Sequence, residues 1–306
     1  MANSQLPSRH LEGRARVVRS GEYELAAFEY GDPANETVIL LHGWPDTHLL
    51  WSDVVPLLAD RYHVVTYDQR GHGLSSSPQS WQDFAFDKLV ADIGAVADVV
   101  SPGRPVHLLG HDFGAIYAWE AVCDDDADSR FASFTCVSGF SLDQAGLWMR
   151  KALRHPTPRN LLGLMGQLLC SSYIFWLFVP GLPARLFTYL GRREVWKRAL
   201  GVLSRVPAEK AYLAETLEQD MLGGMRIYRA NIGKIFRPKE SRTKVPVQMI
   251  TSKYDVAIRR IPLDDAPRWA QELHFHEIPA GHWSPFTHPR EIADLTIAFV
   301  DAHRSR

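Results

Sequence analysis

The chain has 306 residues, 46% of them hydrophobic and 23% charged, with a formal net charge of −1. This is ordinary globular composition, and the length suits one large α/β domain or a domain carrying an insertion. Near-neutrality offers no chain-wide field for nucleic acid or an anionic membrane. The three cysteines, Cys123, Cys136 and Cys170, fit neither a metal spacing nor a disulfide framework. They read as buried thiols of a reducing cytosol. The opening "MANSQLPSRHLEGRARVV" lacks an apolar h-region, so no secretory signal is expected and the expected location is cytoplasmic.

In chain order, "ELAAFEYG" and "TVILLHG" read as strands, "LLWSDVVPLLADR" has a helical period, and "YHVVTYD" reads as a strand. A helix follows over roughly 82–100, then the strand "VHLLGHD", a helix from Phe113 and the strand "FASFTCVSG". Strands apolar along their whole length, alternating with helices, imply a mostly parallel sheet covered on both faces, an α/β architecture. From about 143 to 240 the period is helical, broken by prolines and glycines, with no clear strand. The strands "VPVQMITS" and "LHFHEIPA" then return, with a closing helix near 290–302. The expected organisation is a sheet core of residues 1–142 and 241–306, with a helical cap over 143–240 lying on the carboxyl edge of its strands.

Leu161 to Leu182 carries no formal charge and is long enough to span a bilayer. Gln167, Ser171, Ser172 and Pro180 interrupt it. The expected reading is therefore a buried or pocket-lining helical segment, and no integral membrane span.

Ligands of open α/β sheets bind outside the carboxyl ends of the strands. His42, Trp44, Asp112, Asp255 and His282 all stand at such ends. Gly110-His111-Asp112-Phe113-Gly114 has the form G-x-nucleophile-x-G, in which a sharp turn lifts the central side chain above the sheet. The helix beginning beyond it favours a carboxylate there. Asp112 followed by Asp255 ("TSKYDVAI") and His282 ("PAGHWSPF") repeats the order nucleophile, acid, histidine, with Asp255 as orienter of the imidazole. "HGWPD", residues 42–46, is a tight turn with room for a cis Trp44–Pro45 bond. The backbone amides of Trp44 and Phe113 are expected to form a two-donor oxyanion hole. Asp68, in "YDQRGHGLSS", reads as structural because its glycine- and arginine-rich loop needs an internal partner.

Together "HGWPD", "YDQRGHGLSS", "GHDFG", "KYDVAI" and "AGHW" resemble the α/β-hydrolase family. The aspartate at the turn is similar to that of its epoxide hydrolase and haloalkane dehalogenase branch. "PVHLLGHDFG", "RFASFTCVSG" and "AGHWSPFTHP" resemble the hydrolase half of actinobacterial proteins in which an epoxide hydrolase domain precedes a short-chain dehydrogenase domain. The resemblance implies two cap tyrosines that bind the epoxide oxygen. Tyr173, seven residues before Pro180-Gly181, and Tyr228, preceding Arg229, match those positions; Tyr189 and Tyr212 read as structural. His42, Trp44, Pro45 and Trp283 are expected to border the substrate pocket.

A carboxylate suits this chemistry because attack on an epoxide carbon by serine would leave an ether, whereas attack by Asp112 leaves an ester that water can cleave. The expected reaction is opening of a small apolar epoxide to a vicinal diol, with no cofactor and no metal. A haloalkane dehalogenase is the alternative within the branch, but its usual Trp after the nucleophile is Phe113 here. A hydrolase scaffold kept as a non-catalytic binding module is the alternative from another class. The sequence leaves a homodimer open.

Overall fold

The computed structural model describes residues 13–177 and 182–304. Eight strands form one sheet: β1 (Arg14–Ser20), β2 (Tyr23–Tyr30), β3 (Thr37–Leu41), β4 (His63–Tyr67), β5 (Val106–His111), β6 (Phe131–Val137), β7 (Val247–Ser252) and β8 (Leu273–Ile278). Their spatial order is β1-β2-β4-β3-β5-β6-β7-β8. The β1–β2 and β2–β4 pairs are antiparallel, and every later pair is parallel. All residues of β3, β4, β5 and β7 are buried, as expected for parallel strands with helices on both faces.

Polar residues within these strands are paired rather than exposed. His63 of β4 meets Thr37 Oγ1 at 3.1 Å and Glu29 at 3.2 Å. His107 of β5 meets Ser133 Oγ at 2.8 Å. Burial without partners would cost several kcal/mol per group, so these pairs let polar residues sit in an interior strand.

Four departures from the sequence reading have local causes. β1, "RARVVRS", is an edge strand whose charged residues face water while Val18 faces the core, so no long apolar run marks it. The period over residues 48–61 resolves into a 3₁₀ turn, His48–Trp51, and a short helix, Val55–Leu58, with proline in its first turn. The helix expected over 82–100 is two pieces, Trp81–Phe84 and Phe86–Val100, separated by Ala85 in an extended conformation. The uncharged segment forms the helix Pro158–Cys170 and the short helix Tyr173–Trp176, while its Pro180 and Gly181 lie outside the described residues. No helix among the described residues is long and apolar enough to cross a membrane. Of the expected alternatives, buried or pocket-lining, the second holds: in Pro158–Cys170 only Gly163 is buried, while Leu164, Gln167 and Leu168 line a cavity.

Between β6 and β7 the described residues form helices and turns. The longest helix there, Leu217–Asn231, is fastened to the sheet side at several points. Asn231 donates from Nδ2 to the Phe84 carbonyl at 2.8 Å and accepts from the Phe86 amide at 2.9 Å. It thereby bridges the break at Ala85 and caps the helix Phe86–Val100. Asp220 accepts from the Gly73 amide at 2.9 Å, and Trp44 Nε1 donates to the Met221 carbonyl at 3.1 Å. Asp68 accepts from the His48 and Leu74 amides, 2.8 and 2.9 Å, and holds the loop after β4 together as expected.

Replacing Asn231 with Leu strands a buried donor and a buried acceptor. The expected result is a loss of about 1–3 kcal/mol of unfolding free energy, read from urea denaturation.

Candidate active site

The carboxyl ends of β3, β5, β7 and β8 converge on one point. β5 ends at His111, and the helix Phe113–Val122 starts at once, so Asp112 takes the whole reversal at φ 51° and ψ −123°. The Asp112 amide donates to the Val137 carbonyl at 3.2 Å, and its carbonyl accepts from Ile116 at 2.9 Å. Two glycines let neighbouring backbone close in. A Cβ on Gly114 would lie 2.3 Å from the Leu41 carbonyl oxygen, and one on Gly43 would lie 2.4 Å from Asp112 Cβ. The carboxylate thus stands directly beside the "HGWPD" turn.

In that turn the Trp44–Pro45 peptide is cis. The Trp44 amide donates to Oδ1 of Asp112 at 3.2 Å. On the other side His282, in the turn after β8, brings Nε2 to 3.3 Å from Oδ2 of Asp112. Its Nδ1 lies 3.0 Å from both oxygens of Asp255. Asp255 is itself fixed by the amides of Ala257 and Ile258, which donate to Oδ1 at 2.7 and 2.8 Å.

Burial disfavours a charged His282, but Asp255 and Asp112 outweigh it and hold the imidazole well above its usual pKa of 6.5. Burial likewise opposes ionised Asp255, yet His282 and the two amides keep its pKa below the usual carboxylate value. The His282 ring thus stands between Asp112 and Asp255.

Tyr173 and Tyr228 come together with their hydroxyls 2.7 Å apart. Tyr228 packs edge-on against Phe113 at 4.7 Å and Trp44 at 5.6 Å. Tyr173 is 38% exposed overall, with its hydroxyl end turned inward to Tyr228. Burial raises both phenols above their usual pKa of 10, with Asp112 adding to it. Both are therefore protonated donors at neutral pH, held higher than the ordinary phenol value. Tyr212 instead donates to Asp53 at 3.1 Å, and Tyr189 lies 54% exposed.

Asp112, Phe113, Tyr173 and Tyr228 lie in the wall of a cavity of about 550 Å³, within the range of small-molecule sites. The rest of that wall is mostly apolar, with Trp148, Leu164 and Ile235 among its members. His42, Trp44, Pro45 and Trp283 stand behind that wall, with Trp44 reaching it through Asp112 and Tyr228. His42 is fully buried, accepts the Gln69 amide on Nε2 at 2.9 Å and meets the Gly43 carbonyl through Nδ1 at 2.8 Å. Burial lowers its pKa to about 3, so it is a neutral support for the turn. The Trp44 indole N–H is turned toward the Met221 carbonyl. The Trp283 indole points at Asp46, donating to Oδ2 at 3.0 Å.

Three contributors escape the motif reading. His111 is buried, its pKa lowered to about 4, and its Nε2 lies 2.9 Å from the His282 carbonyl, steadying the histidine turn. Burial raises the pKa of Asp46 to about 7, with the Trp283 hydrogen bond opposing and the charge of Asp112 adding to it. Gln167 ties the cavity wall to the segment after β7, donating to the Ala257 carbonyl at 2.9 Å and accepting from the Arg259 amide at 3.0 Å. The only advance signal was that His111 and Asp46 lie inside the two quoted motifs; Gln167 had none. Among the described residues no group of three or more His, Cys, Asp or Glu side chains could hold a metal ion.

Residues 38–295 match the model of the alpha/beta hydrolase family. The chain is 36% identical over 295 residues to a protein of Mycobacterium tuberculosis named probable oxidoreductase EphD, a match that takes in 94% of this chain and 49% of that protein. It therefore spans about half the length of that relative. It is 39% identical over 107 residues, 35% of this chain and 33% of the other, to epoxide hydrolase A of Mycobacterium tuberculosis. It is 24% identical over 297 residues, 92% of this chain and 75% of the other, to epoxide hydrolase 3 of Mus musculus. Among solved structures, an epoxide hydrolase of Bacillus megaterium superposes with a TM-score of 0.74 at 21% identity, covering 94% of this chain and all of the other. At these low identities that superposition speaks for the fold alone. The mostly parallel eight-stranded sheet, the bend at Asp112 and the family match agree: the chain belongs to the alpha/beta hydrolase family.

Proposed function

We propose that the protein is an epoxide hydrolase that opens an apolar epoxide to a vicinal diol through an ester on Asp112. One observation carries this reading. A carboxylate with an amide on one oxygen and a histidine on the other faces a cavity that also holds two protonated phenols. Similarity to proteins named epoxide hydrolases supports it further.

The steps follow from the positions. With Oδ1 held by the Trp44 amide, Oδ2 attacks the less hindered ring carbon and the ring C–O bond breaks. Tyr173 and Tyr228 donate to the departing oxygen, and one of them gives it a proton, since an alkoxide is a stronger base than a phenolate. Esterification removes the negative charge of Asp112, one of the two charges holding a proton on His282. The imidazole pKa then falls, and its proton passes, directly or through water, to the tyrosinate, which restores the phenol and leaves His282 neutral. His282, oriented by Asp255, takes a proton from water, and hydroxide attacks the Asp112 carbonyl carbon. The Trp44 and Phe113 amides hold the oxyanion. The ester bond breaks, and the departing alkoxide takes the proton of the regenerated carboxyl group. The diol leaves with an oxygen that belonged to Asp112, the water oxygen stays in the carboxylate, and His282 is left protonated as at the start. In this scheme residues 143–240 act as the cap that supplies both tyrosines and much of the apolar wall.

The dehalogenase alternative needs side-chain donors for a halide. Phe113 has none, and the Trp44 indole N–H is already committed to Met221.

Four outcomes are expected. Asp255→Asn removes a main support of the His282 proton, so the imidazole should titrate at lower pH, followed by NMR. Stability linked to that proton is full below about pH 6.5 and fades as pH rises through the folded-state value; in Asp255→Asn the fading should begin at lower pH. His282→Gln, mixed with an aryl epoxide, should gain the mass of the epoxide on Asp112 and stall. In single-turnover wild-type reaction in ¹⁸O water the label should enter Asp112, while the first diol stays unlabelled. No adduct and no label would leave the non-catalytic binding module standing. Tyr173→Phe or Tyr228→Phe alone should lower kcat by roughly 10²-fold, the scale of one general-acid contribution.

A further inference from the structure

The chain-wide charge of −1 conceals a strong local bias. Between residues 144 and 193 there are seven Arg and Lys and no Asp or Glu, so the rest of the chain is net acidic. Within this stretch the helix Pro158–Cys170 shows water a stripe of Leu161, Leu162, Met165, Leu168 and Leu169. Their spacing, i, i+1, i+4, i+7 and i+8, is one face of a helix. Leu162, Met165 and Leu169 are 67%, 61% and 71% exposed. A contiguous apolar stripe of this kind marks an interaction surface rather than the scattered hydrophobes of an ordinary exterior.

The stripe is joined to the cavity. Leu164 and Gln167, on the opposite side of the same helix, line it, and Leu168 both lines it and is 47% exposed. Basic residues stand at the start of the helix and in the neighbouring segments. Arg154 ends the preceding helix, Leu142–Arg154, with Arg185 and Arg193 further along the chain. Among the described residues these three make no ion pair. Lys151 and Arg159 are held by Asp265 and Asp264 at 2.7 and 2.6 Å, acids carried by the segment after β7.

The helix that bears the stripe has no carboxylate of its own, the stretch 144–193 around it in sequence adds only cations, and Asp264 and Asp265 beside it are taken up by Arg159 and Lys151; a face of this chemistry is complementary to hydrocarbon beneath an anionic headgroup layer. A protein partner would ordinarily be met with both signs of charge and a polar rim. We infer that the helix Pro158–Cys170 docks on the surface of an anionic lipid bilayer, so that the cavity takes its substrate from the membrane. The substrate class is then a lipid-dissolved epoxide with a long hydrocarbon part, a statement that rests on the epoxide hydrolase reading, whereas the docking does not.

The test is flotation with vesicles of phosphatidylglycerol and phosphatidylcholine in equal parts, against vesicles of phosphatidylcholine alone. The intact chain should float with the anionic vesicles, weakly or not at all with the neutral ones, and should be released in about 1 M salt, where screening acts within about 3 Å. Leu162→Ser, Met165→Ser and Leu169→Ser combined should cut binding by about tenfold or more, because each removes apolar area from the lipid contact. The triple variant should keep the circular dichroism melt of the parent, since its sites are exposed. A second variant, Arg154→Glu with Arg193→Glu, should lose the preference for anionic vesicles. Absence of flotation, or equal flotation of the triple variant, would overturn the inference. So would a dimer in sedimentation that the triple variant dissolves without any vesicle binding, which would assign the stripe to a second copy. Turnover is read separately on soluble styrene oxide. A chain that floats but opens no epoxide keeps the docking and loses the hydrolase reading, and the reverse result does the reverse.

Discussion

Asp112 occupies a backbone conformation, φ 51° and ψ −123°, that residues bearing a Cβ adopt only under constraint, at a cost of about 1–3 kcal/mol. The rest of the site depends on that bend. It places a carboxylate where strand becomes helix, in contact with the Trp44 amide and His282 rather than buried in the sheet. The surroundings over-determine it. The Asp112 amide is tied to β6 through Val137, its carbonyl starts the following helix, and Gly114 lets that helix ride against Leu41 of β3. A side chain at Gly114 or Gly43 would push the elements apart and release the bend, so the strain is held by contacts made by the absence of side chains.

Charge explains why the arrangement is stable once formed. Two carboxylates close together would repel and one would take up a proton. Here His282 lies between them, and its protonated ring is what each carboxylate lacks. Removing a member of a buried ion group leaves its partner uncompensated, which costs more than the group itself contributes. Of the nearby titratable groups, burial keeps His42 and His111 neutral, and Asp46, raised to about 7, carries only part of a charge at neutral pH. Chemistry that neutralises Asp112 is therefore felt at once by His282. The base becomes available because of the preceding step, with no conformational change required.

The core strands, and the strand ends at which Asp112, Asp255 and His282 meet, were legible in the residues because parallel strands carry uninterrupted apolar runs and each motif sits in a turn with narrow backbone demands. Gly110 to Gly114 and His42 to Asp46 are of this kind. What escaped has a common cause: it depends on contacts between segments far apart in the chain. β1 is an edge strand whose pattern differs little from a loop. Asn231 looks like any polar residue near a helix end, until it is seen bridging Phe84 and Phe86. The side-chain direction of Trp44 and Trp283 was unreadable for the same reason. Their positions after strands suggested the pocket, but the Met221 carbonyl and Asp46 offered their indoles better partners. The segment from Leu161 was helical as read, yet apolar composition alone could not tell a buried face from an exposed stripe.

The two tyrosines illustrate how a site can be prepared without substrate. Each hydroxyl, buried alone, would be an unsatisfied donor. Paired at 2.7 Å, each has a partner. An incoming ring oxygen offers a better acceptor than a neutral phenol as negative charge develops on it, so the pair can exchange its mutual bond for two bonds to substrate. That exchange requires one partner to be fixed. Tyr228 lies on the helix anchored through Asp220, Met221 and Asn231, with its ring wedged against Phe113 and Trp44. Phe113, which lacks the indole donor of the related enzymes, thus has a positive use: an apolar edge that sets the Tyr228 ring and takes no hydrogen bond from it. In the proposed reaction the anchored helix would then fix the place of the ring oxygen, and the helices facing it would meet the hydrocarbon.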